Sequence, residues 1–183
     1  MKQIIRAVQA EDWAKVKEIR LSALRDPLAP VAFLETYEDA AAKSDTFWQE
    51  RTAGAAEGVL VRQFVAEDAA GAWLGTVSVL VERAGVEGVF GTVPDAAQTH
   101  IVGVFVRPEA RGSGLAQELF AAALEWSWQL AEPRIERVRL FVHEDNPRAH
   151  ALYLKAGFAT TGFTVPVPGD AGRLEIELAV PRG

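Results

Sequence analysis

The amino-acid sequence predicts one α+β domain built on a mixed β-sheet. The chain has 183 residues, of which 49% are hydrophobic and 24% are charged, a balance typical of a globular protein with a buried core. Strand-like and helix-like segments follow one another in the order β, helices, β, β, β, α, β, α, β, β. This order is typical of a sheet whose strands mostly meander and whose helices serve as crossovers. No internal repeat, low-complexity tract or linker divides the sequence, so we expect a single domain over residues 1–183.

Hydrophobic periodicity predicts a strand and three helices in the first third of the chain. Pro27 and Pro30 break the helical pattern after the first helix, since proline cannot continue a helix. The predicted elements are a strand over residues 4–8 and helices over residues 11–25, 31–42 and 45–53.

Runs of β-branched residues predict most of the remaining strands. A helix that begins near residue 113 ends before Pro133, and Asn146 followed by Pro147 is typical of a helix N-terminus. Gly157 suits the position just after the end of that second helix. The predicted strands cover residues 59–67, 73–81, 100–106, 135–142, 158–165 and 174–180, and the last two form a terminal hairpin.

Charge and composition exclude several classes of protein. Nineteen Lys and Arg against 25 Asp and Glu give a net charge of −6, which disfavours nucleic-acid binding and favours a cationic substrate such as an amine. The absence of cysteine excludes a disulfide scaffold and a cysteine nucleophile. The three histidines show no metal-ligand spacing, so we predict no metal site. Because there is no signal-peptide pattern and no apolar run of roughly 20 residues, we expect a cytoplasmic protein that does not enter membranes.

The most informative segment runs from Val104 to Ala116. A strand leads into a turn that contains Gly112 and Gly114, and a helix follows at once. Main-chain amides at a helix N-terminus are unpaired, and glycines let an anion approach them closely. Arg111 adds a positive charge, so the segment predicts a pyrophosphate site. Because short motifs also match by accident, a tight strand-to-helix turn without a ligand is the alternative.

Two segments resemble motifs of the GNAT superfamily of N-acetyltransferases. Residues 109–114 (EARGSG) are similar to motif A, Q/R-x-x-G-x-G/A, with Glu109 in place of the first Gln or Arg. Residues 146–158 (NPRAHALYLKAGF) resemble motif B, and the two motifs occur in the family's order. The resemblance implies a three-layer α/β arrangement, in which a mixed, mostly antiparallel sheet of about seven strands carries helices on both faces.

The resemblance also implies acetyl-CoA as the cosubstrate. In the family, the strand before motif A splays from its neighbour and binds the pantetheine arm through its main chain, which corresponds to Val104, Phe105 and Val106. Asn146 and Tyr153 would approach the sulfur end. The loop amides that would hold the pyrophosphate belong to Arg111, Gly112, Ser113, Gly114, Leu115 and Ala116.

Tyr153 occupies the family's general-acid position. A phenol, with a pKa of about 10, is protonated at neutral pH and can donate a proton to a leaving thiolate. The alternative is a packing role for the ring against Leu119 or Phe158. The oxyanion would be met by a main-chain amide near Val104.

His100 is the first candidate for the base that deprotonates the acceptor amine. It lies on the strand that reaches the acetyl group, and strand alternation predicts that His100, Val102 and Val104 share a face. A surface histidine at the end of a strand is the alternative. Glu35 and Glu38 could attract a cationic acceptor or simply form a solvated helix face.

The sequence therefore predicts an acetyl-CoA-dependent N-acetyltransferase that acts on a small-molecule primary amine. Direct attack in a ternary complex is expected, because neither a cysteine nor a G-x-S-x-G nucleophile motif is present. Two alternatives remain open, which are an acetyltransferase of protein N-termini and a CoA-binding sensor without catalysis. A homodimer formed through the terminal hairpin is also open, since exposed sheet edges accept partners.

Overall fold

A seven-stranded sheet forms the centre of the computed structural model, which describes residues 3–183. The strands are β1 (Ile4–Ala7), β2 (Val61–Glu67), β3 (Trp73–Glu82), β4 (Gln98–Val106), β5 (Arg137–His143), β6 (Ala159–Val167) and β7 (Asp170–Pro181). They are ordered β1-β2-β3-β4-β5-β7-β6 in the sheet; β4 and β5 are parallel, and every other neighbouring pair is antiparallel. This confirms the predicted mixed, mostly antiparallel sheet.

Helices cover both faces of the sheet, as the resemblance implied. On one face, Trp48 and Ile19 pack in a core with Phe105 of β4. On the other face, Leu119 and Phe120 belong to a core that includes strand residues of β3, β4 and β5. The helices are α1 (Trp13–Leu24), α2 (Ala29–Ala32), α3 (Tyr37–Ala41), α4 (Asp45–Glu57), α5 (Leu115–Gln129) and α6 (Pro147–Lys155). None of the helices within residues 3–183 has the length and apolarity needed to cross a bilayer.

Both ends of α6 follow the predicted local signals. The side chain of Asn146 accepts a hydrogen bond from the Ala149 amide at 3.2 Å, which satisfies one of the free donors of the first turn. Gly157 adopts φ +95°, a left-handed conformation that side chains other than glycine resist. The motif that resembles motif B is therefore a capped helix followed by β6. Because β6 lies at the edge of the sheet, pairing with a second copy stays a prediction.

The single helix predicted over residues 31–42 is wrong. Phe33 is extended, with φ −137° and ψ 145°, and it separates α2 from α3. Thr36 then starts α3, because its hydroxyl accepts a hydrogen bond from the Asp39 amide at 3.2 Å. As a result, Glu35 lies in the extended break and Glu38 lies on α3.

A β-bulge interrupts β4 at Gly103. Thr76 pairs with Phe105 and Ser78 pairs with Val102, so β4 contains one more residue than β3 over this stretch. Gly103 has φ +64°, a value that glycine adopts without strain. The bulge reverses the alternation of side chains along the second half of β4.

The reversal corrects one sequence-based expectation. Phe105 lies in the core beneath α1 and α4, whereas Val104 packs with the core beneath α5. Val102 and Phe105 pair with β3 residues that share one face, so these two side chains lie on the same side. The prediction that His100, Val102 and Val104 share a face is therefore wrong for Val104.

The parallel strands β4 and β5 separate soon after they meet. Their pairing covers three residue pairs and ends at His100 with Arg139, although β4 continues to Val106 and β5 to His143. This confirms that the strand before motif A splays from its neighbour. The splay opens a wedge whose apex is marked by His100.

Candidate functional site

A cavity of about 930 Å³ opens at the wedge between β4 and β5. That volume is near the upper end of the range for small-molecule sites. Both sequence motifs reach it, although they are separated by α5 and β5 in the chain. The predicted residues that line it are Glu35, His100, Val104, Phe105, Val106, Arg111, Gly112, Gly114, Leu115, Ala116, Asn146 and Tyr153.

Main-chain amides converge on one end of this cavity. Within residues 3–183, the amides of residues 112–117 donate no hydrogen bond to a protein acceptor. Gly112 and Gly114 adopt φ +79° and +87°, and an added Cβ at either would meet no atom within 4 Å. Glycine is required at these two positions because of the positive φ values, and not because a side chain would collide with a neighbouring atom. A row of free amides at the start of α5 fits the diphosphate of a nucleotide such as CoA.

The charges around the amide row differ from the sequence-based expectation. Arg111 forms an ion pair with Asp26 and donates from Nε to the Val106 carbonyl at 3.0 Å, so its charge is already offset. Arg148, in the first turn of α6, lines the same cavity and has no ion-pair partner among residues 3–183. Sequence reasoning missed Arg148 because only the fold brings α6 next to the loop.

The side chains of two loop residues, Ser113 and Glu109, do not line the cavity, although motif A includes both positions. The hydroxyl of Ser113 donates to the Ala110 carbonyl at 2.6 Å, and its side chain stabilises the turn. Ser113 is absent from the cavity lining, so the residue can act on a ligand only through its amide. Glu109 is exposed and also lies outside the lining, so its departure from motif A leaves the loop conformation intact.

Tyr153 stands on α6 and lines the cavity at the sulfur end that the resemblance assigns. Its ring packs edge to face on Phe120, with 5.6 Å between the ring centroids. Burial, together with the nearby carboxylate of Glu175, raises the pKa of Tyr153 to about 12. The hydroxyl is therefore protonated at neutral pH and able to donate. Packing and proton donation are compatible, because the ring edge packs while the hydroxyl remains without a hydrogen-bond partner among residues 3–183.

Glu175 of β7 is a cavity residue that sequence reasoning missed. Its carboxylate is buried, and it forms no ion pair or hydrogen bond within the part of the chain that the structure describes. Burial raises the pKa of Glu175, and the nearby His143 partly opposes that shift. A partly desolvated carboxylate beside Tyr153 is suited to attract an ammonium group.

His100 lies in a cluster of buried charges at the apex of the wedge. Its Nδ1 lies 2.8 Å from Oε1 of Glu82, and Arg139 contacts Glu82 at 2.6 Å and Glu177 at 3.1 Å. Arg137 completes the cluster by pairing with Glu177 at 3.1 Å. Two arginines thus offset two carboxylates, so the cluster is neutral when the imidazole is neutral.

The cluster sets the protonation of His100. Burial lowers the pKa of His100, and Glu82 only partly restores it. Burial also disfavours the charged form of Glu82, but His100 and Arg139 outweigh this effect and lower the Glu82 pKa to about 2. His100 is therefore a neutral imidazole whose Nδ1 lies beside the Glu82 carboxylate, and its Nε2 is left free to accept a proton. The alternative of a surface histidine is wrong, since His100 is 2% exposed.

The two predicted acceptor residues differ in placement. Glu35 lines the cavity, but its carboxylate already contacts Arg20 at 3.0 Å and Lys43 at 3.8 Å. Glu38, on α3, is exposed and lies outside the cavity lining. Glu38 therefore belongs to a solvated helix face, as the alternative stated, and does not line the cavity.

Comparison with known proteins identifies the protein family of this chain. Residues 13–158 match the model of the "Acetyltransferase (GNAT) family". A curated relative, mycothiol acetyltransferase from Beutenbergia cavernae, is 42% identical over 66 residues, which are 36% of this chain and 21% of that protein. The chain thus covers about a fifth of the length of this relative.

Solved structures with the same fold include spermidine N-acetyltransferases. A chimera of SpeG from Vibrio cholerae and hSSAT superposes with a TM-score of 0.65 at 19% identity, over 99% of this chain and 96% of that one. The dodecameric Vibrio cholerae enzyme in an intermediate state gives a TM-score of 0.65 at 22% identity, over 98% and 93%. At these identities the likeness concerns the fold alone.

Proposed function

The chain belongs to the GNAT acetyltransferase family, and on that premise we propose that it transfers an acetyl group from acetyl-CoA to a primary amine of a small molecule. The observation that carries the proposal is the row of free amides over residues 112–117, which faces the same cavity as Tyr153 and His100. Anion binding at one end and paired acid and base groups at the other are what acyl transfer between two bound substrates requires.

Different residues along the cavity have different roles in this proposal. The amides of residues 112–117 and the free guanidinium of Arg148 bind the diphosphate of CoA. The unpaired part of β4 beyond His100 orients the pantetheine arm through its main chain. When bound, acetyl-CoA supplies a thioester, whose carbon forms a bond to the amine nitrogen as its bond to sulfur breaks.

Two side chains move protons in this scheme. His100 accepts the proton that the acceptor ammonium must lose, directly or through a water, and the Glu82 carboxylate stabilises the resulting imidazolium from 2.8 Å. Tyr153 donates its phenolic proton to the departing thiolate. Both groups are in the required state at neutral pH, because burial lowers the pKa of His100 and raises that of Tyr153.

A panel of amines tests the proposal directly. Wild-type protein is mixed with acetyl-CoA and with alkylamines, amino acids, polyamines or peptides bearing a free N-terminus, and release of the CoA thiol is followed. We expect turnover on small amines and, in calorimetry, binding of CoA. Peptides turned over in preference to every small amine would instead identify an acetyltransferase of protein N-termini. Binding of CoA without turnover of any amine would identify a cofactor sensor and overturn the proposal.

The pH dependence of kcat tests whether His100 is the base that deprotonates the acceptor. As the pH falls through the His100 pKa, the imidazole becomes protonated and can no longer accept a proton. Because that pKa lies below the ordinary value of 6.5, we expect kcat to persist below pH 6.5 before it declines. His100→Gln should lower kcat by roughly 10²–10⁴-fold and remove the acidic limb of the profile. His143→Gln, which alters another cavity histidine, is the comparison, and an unchanged profile in His100→Gln would exclude His100 as the base.

A further inference from the structure

The wall of the cavity next to the β4 bulge carries an excess of positive charge. Arg20 of α1, Arg51 of α4 and Glu35 line this part of the cavity together with Ser78 and Gly103. Two arginines and one glutamate give this wall a net charge of +1.

The carboxylate of this wall is not available to a ligand. Glu35 contacts Nε of Arg20 at 3.0 Å and Nζ of Lys43 at 3.8 Å, and its side chain is 20% exposed. A polyamine brings several cations and needs free carboxylates to receive them. The wall therefore differs from what a cationic chain would require, although the fold is shared with spermidine acetyltransferases.

Arg51 is the charge in the wall that lacks a counter-ion. It forms no ion pair or hydrogen bond with any residue from 3 to 183, and its guanidinium carbon lies 5.9 Å from the centre of the Trp48 ring. Arg20, by contrast, is already paired with Glu35 and lies over the ring of Phe33 at 4.7 Å. A guanidinium that faces a cavity without a partner is suited to bind a carboxylate or a phosphate in a two-pronged manner.

Arg51 is exposed to solvent at the open side of the cavity, yet desolvation by the surrounding protein and the repulsion of Arg20 lower its pKa, and Glu35 opposes this shift only partly. A bound anion would relieve both effects, since it would supply the missing counter-charge. The charged groups that face Arg51 are thus one cation and one carboxylate that is already engaged.

We infer that the acceptor amine also carries an anionic oxygen group, a carboxylate or a phosphate, and that Arg51 binds this group. The inference rests on the proposed function and narrows it to a substrate class. At the other end of the acceptor, Glu175 attracts the ammonium beside Tyr153. The acceptor is therefore a zwitterion, such as an amino acid or a phosphorylated amino alcohol, and not a polyamine.

Matched pairs of amines test the inference. Each pair differs by the anionic group: phenylalanine with phenethylamine and alanine with ethylamine for a carboxylate, and phosphoethanolamine with ethanolamine for a phosphate. We expect kcat/KM for the anionic member of at least one pair to exceed that of its partner by roughly 10- to 100-fold, chiefly through KM. The pair with the largest ratio of kcat/KM values shows whether the acceptor carries a carboxylate or a phosphate.

Variants separate recognition from reactivity. Arg51→Gln should reduce the ratio toward one, and Arg51→Lys should restore part of it, since a lysine keeps the charge without the planar fork. Arg134→Gln, which removes an arginine that is 69% exposed outside the cavity, should leave the ratio unchanged. Turnover of spermidine or of amines without an anionic group at equal or higher kcat/KM would overturn the inference while leaving the proposed function in place. No turnover of any amine would overturn both.

Discussion

Tyr153→Phe should lower kcat by roughly 10²–10⁴-fold while leaving the affinity for CoA unchanged. The substitution removes one oxygen atom and keeps the ring that packs on Phe120 at 5.6 Å. The departing thiolate then leaves without a proton, because no other phenol lines the cavity among residues 3–183. Steady-state kinetics with acetyl-CoA and an accepted amine measure the loss, and calorimetry with CoA measures the binding.

Tyr37→Phe is the matched control for this experiment, since Tyr37 is the other tyrosine of the chain. It lies on α3, outside the cavity lining, where its hydroxyl meets Arg25. Its removal should leave kcat within about twofold of the wild-type value, the scale of an ordinary surface change. Should Tyr153→Phe behave like Tyr37→Phe, the Tyr153 ring would be a packing element and the proton would come from water.

Arg139→Met should destabilise the protein by about 3–5 kcal/mol in urea unfolding, because it leaves two buried carboxylates without their shared cation. Arg139 is 1% exposed and contacts Glu82 at 2.6 Å and Glu177 at 3.1 Å. The loss of charge costs more than the loss of packing, since methionine keeps most of the apolar stem.

A second arginine provides the control for the charge cluster. Arg134 lies 3.6 Å from Glu136 at a surface where both side chains are more than half exposed, so Arg134→Met should cost less than about 1 kcal/mol. Combining Arg139→Met with Glu82→Gln should cost less than the sum of the two single changes, because the neutral amide no longer needs the cation. A loss for Arg139→Met no larger than that for Arg134→Met would show that the cluster does not contribute to stability.

Lowering the pH should destabilise the folded protein, because Glu82 of the same charge cluster becomes protonated. The pKa of Glu82 is about 2 in the folded chain against an ordinary value of 4.5, so its ionised form favours folding. That contribution is complete above about pH 4.5 and is lost as the pH falls toward 2. Its size is on the order of 3 kcal/mol. Arg139→Met should weaken this dependence, since it removes a main stabiliser of the Glu82 carboxylate.

The sequence by itself determined the elements whose physics is local. The glycines at 112 and 114 have the positive φ values that a tight turn into a helix requires, and Asn146 caps α6 as its position predicts. These signals act within a few residues, so they are readable without the fold. For this reason the glycine loop, the second motif and the order of the elements along the chain could be predicted. The break at Phe33 was missed because continued helical periodicity competes with the Thr36 cap.

The tertiary structure decided which distant side chains share one cavity. The bulge at Gly103 moved Val104 to the other face of the sheet, and a single extra residue cannot be read from alternation alone. Glu82 of β3 contacts His100 of the neighbouring β4, and Arg51 enters the wall from α4. Burial removed Glu82 and His100 from water, whereas Arg51 stays exposed to the cavity, so the fold determined which charges are neutralised by neighbours and which remain free for a substrate.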